Sequence, residues 1–181
     1  MTKMRWGMNG PGRISALLAL CLAIGCSPVP RKYLRQAAPN VTLTTLSASP
    51  DSYQGRLVVL GGVIVEEEMQ DGRLWLHVKN RPLDQDYKPQ LPPSPDDPEG
   101  GPYWVVVEKP GTFPASHHHW ADMIVVGRVS GSAPGQEPVL NMVYARGWGV
   151  NSAHDGVWEH VIDSNYLPSA PASAVGELGQ K

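Results

Sequence analysis

The sequence predicts an all-β protein, a small Greek-key or OB-like barrel of five to six strands, and three observations carry that expectation. The 181 residues include 18 prolines and 19 glycines, about a fifth of the chain and more interruption than the interior of a helical bundle accepts. The apolar residues gather in short runs rich in Val, Ile and Leu, each of strand length and each bounded by turn residues. The runs follow one another in order along the chain, and closing such a sheet removes its exposed edges. A two-sheet sandwich is the alternative. With 41% apolar and 18% charged residues the chain fits one ordinary globular domain plus tails.

The first strand is expected in "RLVVLGGVIVE" (56–66), long and curved, with Gly61-Gly62 in its middle as a bulge or sharp bend. "EEMQDGR" follows with a solvated turn at Glu66, Glu67 and Glu68 and a hairpin signal at Asp71-Gly72. The second strand, "LWLHVKNRPL", alternates Trp75 and His77 with Leu74, Leu76 and Val78, and pairs antiparallel with the first. Residues 84–101 hold five prolines and read as a long surface loop. "YWVVVEK" (103–109), "DMIVVGRVSG" (122–131) and "EPVLNMVYARGWGV" (137–150) supply three further strands, and the stretch around Val157, Trp158 and Val161 a short last element.

The N-terminus has the layout of an export signal: basic residues through Arg13, an apolar run from Ile14 to Ile24, then Gly25 and Cys26. The eleven residues of that run rise about 16 Å as a helix, about half a bilayer core, which disfavours a permanent span. "AIGC" (23–26) resembles the lipobox of bacterial lipoprotein precursors, with Ala23 where leucine is commonest. That resemblance implies cleavage between Gly25 and Cys26, lipidation of Cys26 and handling by the lipoprotein processing and sorting machinery. The cysteines argue independently in the same direction. Cys21 leaves with the leader, so Cys26 is the one thiol remaining in an oxidising compartment, and a lipid thioether consumes it.

Four segments follow: a signal peptide at 1–25, a lipidated N-terminus and flexible tether at 26–50, the barrel at 51–163, and a disordered tail at 164–181. Ser27 after the lipidated cysteine implies, by the sorting behaviour of the lipoprotein class, release to the outer membrane. Loss of Lys3, Arg5 and Arg13 leaves 12 basic against 17 acidic residues, a net charge of −5, so nucleic acid is not an expected partner.

Taken together, the lipobox, "YQGRLVVLGGVIV", "RPLDQDYKPQ", "MIVVGRVSG", "YARGWGV" and Val157-Trp158 resemble the Slp family of outer-membrane lipoproteins over roughly residues 20 to 162. The resemblance implies a structural or stress-related envelope lipoprotein, anchored in outer-membrane lipid and facing the periplasm, with an OB-like barrel and no established enzymatic activity. Its envelope protein partner is not specified. The longer, more acidic loop after Pro89 and the triple histidine depart from the family pattern.

Chemistry-bearing residues are few. His117, His118 and His119 are three potential transition-metal ligands, but adjacent residues seldom converge on one ion, and a site needs further ligands such as His77, Asp122, His154 or His160. A solvated loop is the expectation there, with no metal and no cofactor beyond the lipid on Cys26. Glu66, Glu67 and Glu68 alternate in direction and form no catalytic pair. No nucleophile elbow or phosphate loop is present, so no enzyme is expected. Trp75, Trp104, Trp120, Trp148 and Trp158, beside a single phenylalanine, Phe113, are expected mainly as core, with a ligand-stacking platform as the lesser reading. The alternative function is a periplasmic module that binds a peptide, glycan or metal.

Overall fold

The computed structural model describes residues 27–110, 122–148 and 157–161. Its longest strand, β1 (Leu57–Gln70, 14 residues), serves two neighbours in turn. Residues 57–63 pair antiparallel with Arg128–Asp122 of β4 (Asp122–Ser132), and residues 62–70 pair antiparallel with β2 (Arg73–Asn80). β3 (Pro102–Val107) continues the meander against β2, and β5 (Pro138–Trp148) lies antiparallel to β4. A short parallel pairing of Trp104, Val105 and Val106 with Val139, Leu140 and Asn141 then joins β3 to β5. The ring β1-β2-β3-β5-β4 is therefore closed, as an OB-like barrel requires. β6 (Val157–Val161) extends the sheet from the far half of β5.

Local chemistry sets these elements. Asp71 and Gly72 take φ of 52° and 75°, the left-handed pair of a two-residue hairpin whose twist suits the flanking strands. Along β2, Leu74, Leu76 and Val78 are buried while Arg73, Trp75, His77 and Lys79 are not. The first set joins Val58, Leu60, Tyr103, Val105, Val107, Met123, Val125 and Leu140 in the barrel interior.

The long first strand is present, but its glycines do different work from that expected. The β1–β2 register breaks between Ile64 and Glu66, not at Gly61-Gly62. Those glycines sit where β1 passes from one neighbour to the other, and their missing side chains admit close approach. A Cβ on Gly61 would strike the Arg81 carbonyl and Leu83, and one on Gly62 would strike Val78 and lie 2.8 Å from the Lys79 oxygen. Tyr103 donates a 3.0 Å hydrogen bond to the Gly61 carbonyl. Burial drives its phenol far above the ordinary value, so it stays a donor. Glu66, Glu67 and Glu68 belong to β1, which runs on to Gln70, rather than to a turn.

The tether expected over residues 26–50 is corrected from Ser27 onward. Two short helices, α1 (Arg31–Gln36) and α2 (Leu43–Ala48), form there and pack on the barrel. Val29 and Tyr33 retain 1% and 3% exposure in an outer cluster with Leu57, Ile124, Val126 and Tyr144. α2 places Leu43 and Leu46 in the interior cluster. Helices this short do not persist alone in water; burial of those side chains holds them. The segment looked aperiodic because six residues span under two turns, too few for a period to be read.

The loop after β2 is irregular, as expected, yet anchored. The Asp84 carboxylate accepts hydrogen bonds from the Asp86 and Lys88 amides at 2.8 and 2.9 Å. A 3-10 turn at Pro98–Gly100 delivers Glu99 to the start of α2, where its carboxylate accepts from the Leu43 and Thr44 amides at 3.1 and 2.9 Å. Thr42 and Thr45 complete a capping box. The leader, Gly25 and Cys26, His117–His119 and the expected tail at 164–181 lie outside the described residues. No helix among the described residues is long and apolar enough to cross a membrane.

Two outcomes are expected. Gly62→Val overpacks the β1–β2 contact and lowers stability by about 1–3 kcal/mol, read as a drop in Tm; an unchanged Tm refutes the close-approach role. Desolvation raises the Glu99 pKa, but hydrogen bonds from Thr44, Thr42 and Leu43 together outweigh it and hold the carboxyl below its ordinary 4.5. Its contribution is then full above that ordinary value and is lost as pH falls through the lowered folded value. Glu99→Gln accordingly lowers Tm near neutrality and flattens the loss of Tm below 4.5, measured by thermal melts across pH.

Candidate functional site

The face of β2 and β3 turned away from the interior is built by register. Glu66, His77 and Trp104 stand opposite one another on β1, β2 and β3, and Glu68, Trp75 and Val106 form the next row. Directly opposed residues share a face of the sheet, so two carboxylates, an imidazole and two indoles are brought side by side. Barrel closure adds a fourth wall. Val139 pairs with Trp104, which brings Glu137 and the β4–β5 turn over the same face.

The result is a groove of about 660 Å³ between the β1–β2 and β4–β5 turns, lined among others by Glu66, Glu68, Asp71, Trp75, His77, Trp104 and Glu137. His77 lies flat on Trp104, with ring centroids 4.4 Å apart and planes at 18°. Its Nε2 is 3.0 Å from Glu137 Oε2, and its Nδ1 is 4.0 Å from Glu66 Oε2. An ionised carboxylate only accepts, so the Nε2 proton faces Glu137. Trp75 meets Trp104 edge to face at 6.1 Å and 71°. The Arg73 guanidinium, beside Glu108 at 3.7 Å, covers Trp75 at 5.9 Å from its centroid. Trp75 Nε1 is buried without a hydrogen-bond partner among the described residues.

Trp75 and Trp104 are thus half-buried on the outer face rather than core, against the main expectation for the tryptophans. Tyr103, Met123 and aliphatic residues fill the interior instead. Trp148 packs at the edge of the outer cluster, and Trp120 and the Trp158 side chain lie outside the described residues. Of the residues named as possible metal partners, His77 faces the groove and Asp122 opens β4. No group of three metal-ligating side chains is found among the described residues. Glu66 and Glu68 point into the groove, while Glu67, between them in the strand, takes the other direction. Sequence reasoning missed Glu137, which is 60 positions from His77; nothing local signals that meeting.

With this geometry in view, the model of the Outer membrane lipoprotein Slp family matches residues 23–161, from the end of the apolar leader through β6. The chain belongs to the Slp family of outer membrane lipoproteins. No curated protein matches it. The match covers both docked helices and every strand of the barrel, so α1 and α2 are part of the Slp-family unit, not an appendage to it. The all-β barrel implied by the family resemblance is present as a closed ring of five strands.

Proposed function

We propose that this Slp-family protein is a non-catalytic, structural or stress-related envelope component, held in the outer membrane by acyl chains on Cys26 with its barrel in the periplasm, and that its barrel binds a ligand. One observation carries the binding reading. The groove lies on the β2–β3 face between the β1–β2 and β4–β5 turns, the surface through which OB-type barrels take oligomeric ligands. Its size falls within the ordinary range of ligand clefts, and it combines aromatic walls with a few convergent polar groups.

The anchoring reading is supported by the family match and by the sequence before Ser27. Acyl chains contribute about 0.8 kcal/mol per buried methylene, so the lipid supplies the membrane affinity and the barrel surface need not. The non-catalytic reading is supported by the geometry at His77. The His77 Nε2 proton is directed to Glu137 and one ring face is covered by Trp104, and among the described residues the groove lining offers no cysteine and a single serine, Ser132 at the end of β4.

Cys26→Ala is expected to abolish palmitate incorporation and lipoprotein-type processing; equal labelling of mutant and wild type refutes the anchor. Ser27→Asp is expected to keep acylation but move the protein toward the inner-membrane fraction on a density gradient. Wild type already in that fraction refutes outer-membrane residence. In a thermal-shift panel of glycans, peptides, polyamines and divalent metals, at least one ligand is expected to raise the Tm of wild type and not of Trp104→Ala. No shift from any of them refutes the binding reading.

A further inference from the structure

Resting on the reading of the groove as a binding site, we infer that its ligand is a linear aliphatic polyamine, held by its ammonium groups on the groove carboxylates and by its methylene chain on the indoles. The charge of the lining decides the sign. Glu66, Glu68, Asp71 and Glu137 line the groove, and no lysine or arginine does so among the described residues. A concave wall of one sign concentrates counter-ions of the other, so phosphate-bearing ligands are repelled and cations drawn in.

The arrangement of the acids decides the shape. Glu66 and Glu68 are alternate residues of one strand, so their carboxylates project about 7 Å apart from the same face, close to the separation of two ammonium groups joined by four methylenes. Asp71 prolongs the row at the hairpin. A compact metal ion would need these oxygens to converge, whereas a linear amine meets them in succession. Beside the acids stand Trp75 on β2 and Trp104 on β3, whose rings attract both a methylene chain, through apolar contact, and a nearby ammonium, through the ring quadrupole. Glu137 is already engaged by the His77 Nε2–H at 3.0 Å, leaving the row of Glu66, Glu68 and Asp71 to meet the amine.

The test uses full-length lipidated protein in detergent, titrated calorimetrically near neutral pH with spermidine, butane-1,4-diamine, an N-acetylated lysine tetrapeptide and a neutral gluco-oligosaccharide. Spermidine is expected to bind with one-to-one stoichiometry, more tightly than the diamine and more weakly as salt rises. The pair Glu66→Gln and Glu68→Gln is expected to weaken it about tenfold, and Trp104→Ala to weaken both amines, with Asp86→Asn on the distant loop as an unaffected control. Spermidine binding that ignores the Glu→Gln pair is diffuse attraction to an acidic protein and overturns the inference. Tighter binding of the lysine peptide overturns the assignment to a free amine. Binding of the oligosaccharide alone, lost in Trp104→Ala, overturns the ligand class but leaves the groove a binding site. Silence from all four overturns the inference, and the wider panel then decides whether the groove binds anything.

Discussion

Three residue pairs of parallel sheet, Trp104 with Val139, Val105 with Leu140 and Val106 with Asn141, turn a meander into a barrel, and the rest of the molecule depends on them. Without that seam β3 and β5 would both present unpaired edges, and the interior that holds Tyr103, Val105 and Leu140 at 0% exposure would open. The same seam makes the groove. Val139 beside Trp104 places Glu137, two residues earlier, against His77. Stability and site are two results of one pairing, so a substitution that weakens the seam is expected to disturb both.

The second dependence runs through Glu99. The long proline-rich loop returns to the barrel by the Asn80 amide bond to the Gly101 carbonyl, at 2.9 Å, and by Asn80 Nδ2 donating to the Glu99 carbonyl at 2.6 Å. From that fixed backbone the Glu99 side chain caps α2, and α2 carries Leu43 and Leu46 into the barrel. A carboxylate in a loop thereby positions part of the core. The loop departs from simple strand patterning for a reason: Asp84 folds it on itself and Glu99 ties α2 to the sheet.

Legibility in the sequence followed the range of the interactions. The strands were readable because alternation along Leu74–Val78 and β-branched runs such as Val105–Val107 record a local environment. The Asp71-Gly72 turn was readable because its left-handed φ values constrain residue type. The docked helices were not, since Val29, Tyr33, Leu43 and Leu46 acquire meaning only against strands far along the chain. Trp75 and Trp104 escaped the core expectation for a related reason. Composition says that a chain with one phenylalanine needs its indoles for packing, whereas the register puts Trp75 and Trp104 outward and lets aliphatic residues and Tyr103 complete the interior. His77 and Glu137 illustrate the limit, being joined by closure across 60 positions with no short-range trace.

The burial of Val29, three positions after Cys26, sets a length scale. Three residues span at most about 10 Å, so the proposed acyl anchor on Cys26 would hold the barrel close to the lipid headgroups. The wall carrying α1 is built on the outer sides of β4, β5 and the start of β1, and under that anchor it would be the wall nearest the bilayer, while the groove opens from β2 and β3. A ligand would then meet the site at a height above the bilayer limited by that short link. Neighbouring copies in the same leaflet would present their grooves at a common level, as a shallow, two-dimensional layer of negative clefts spread along the membrane surface.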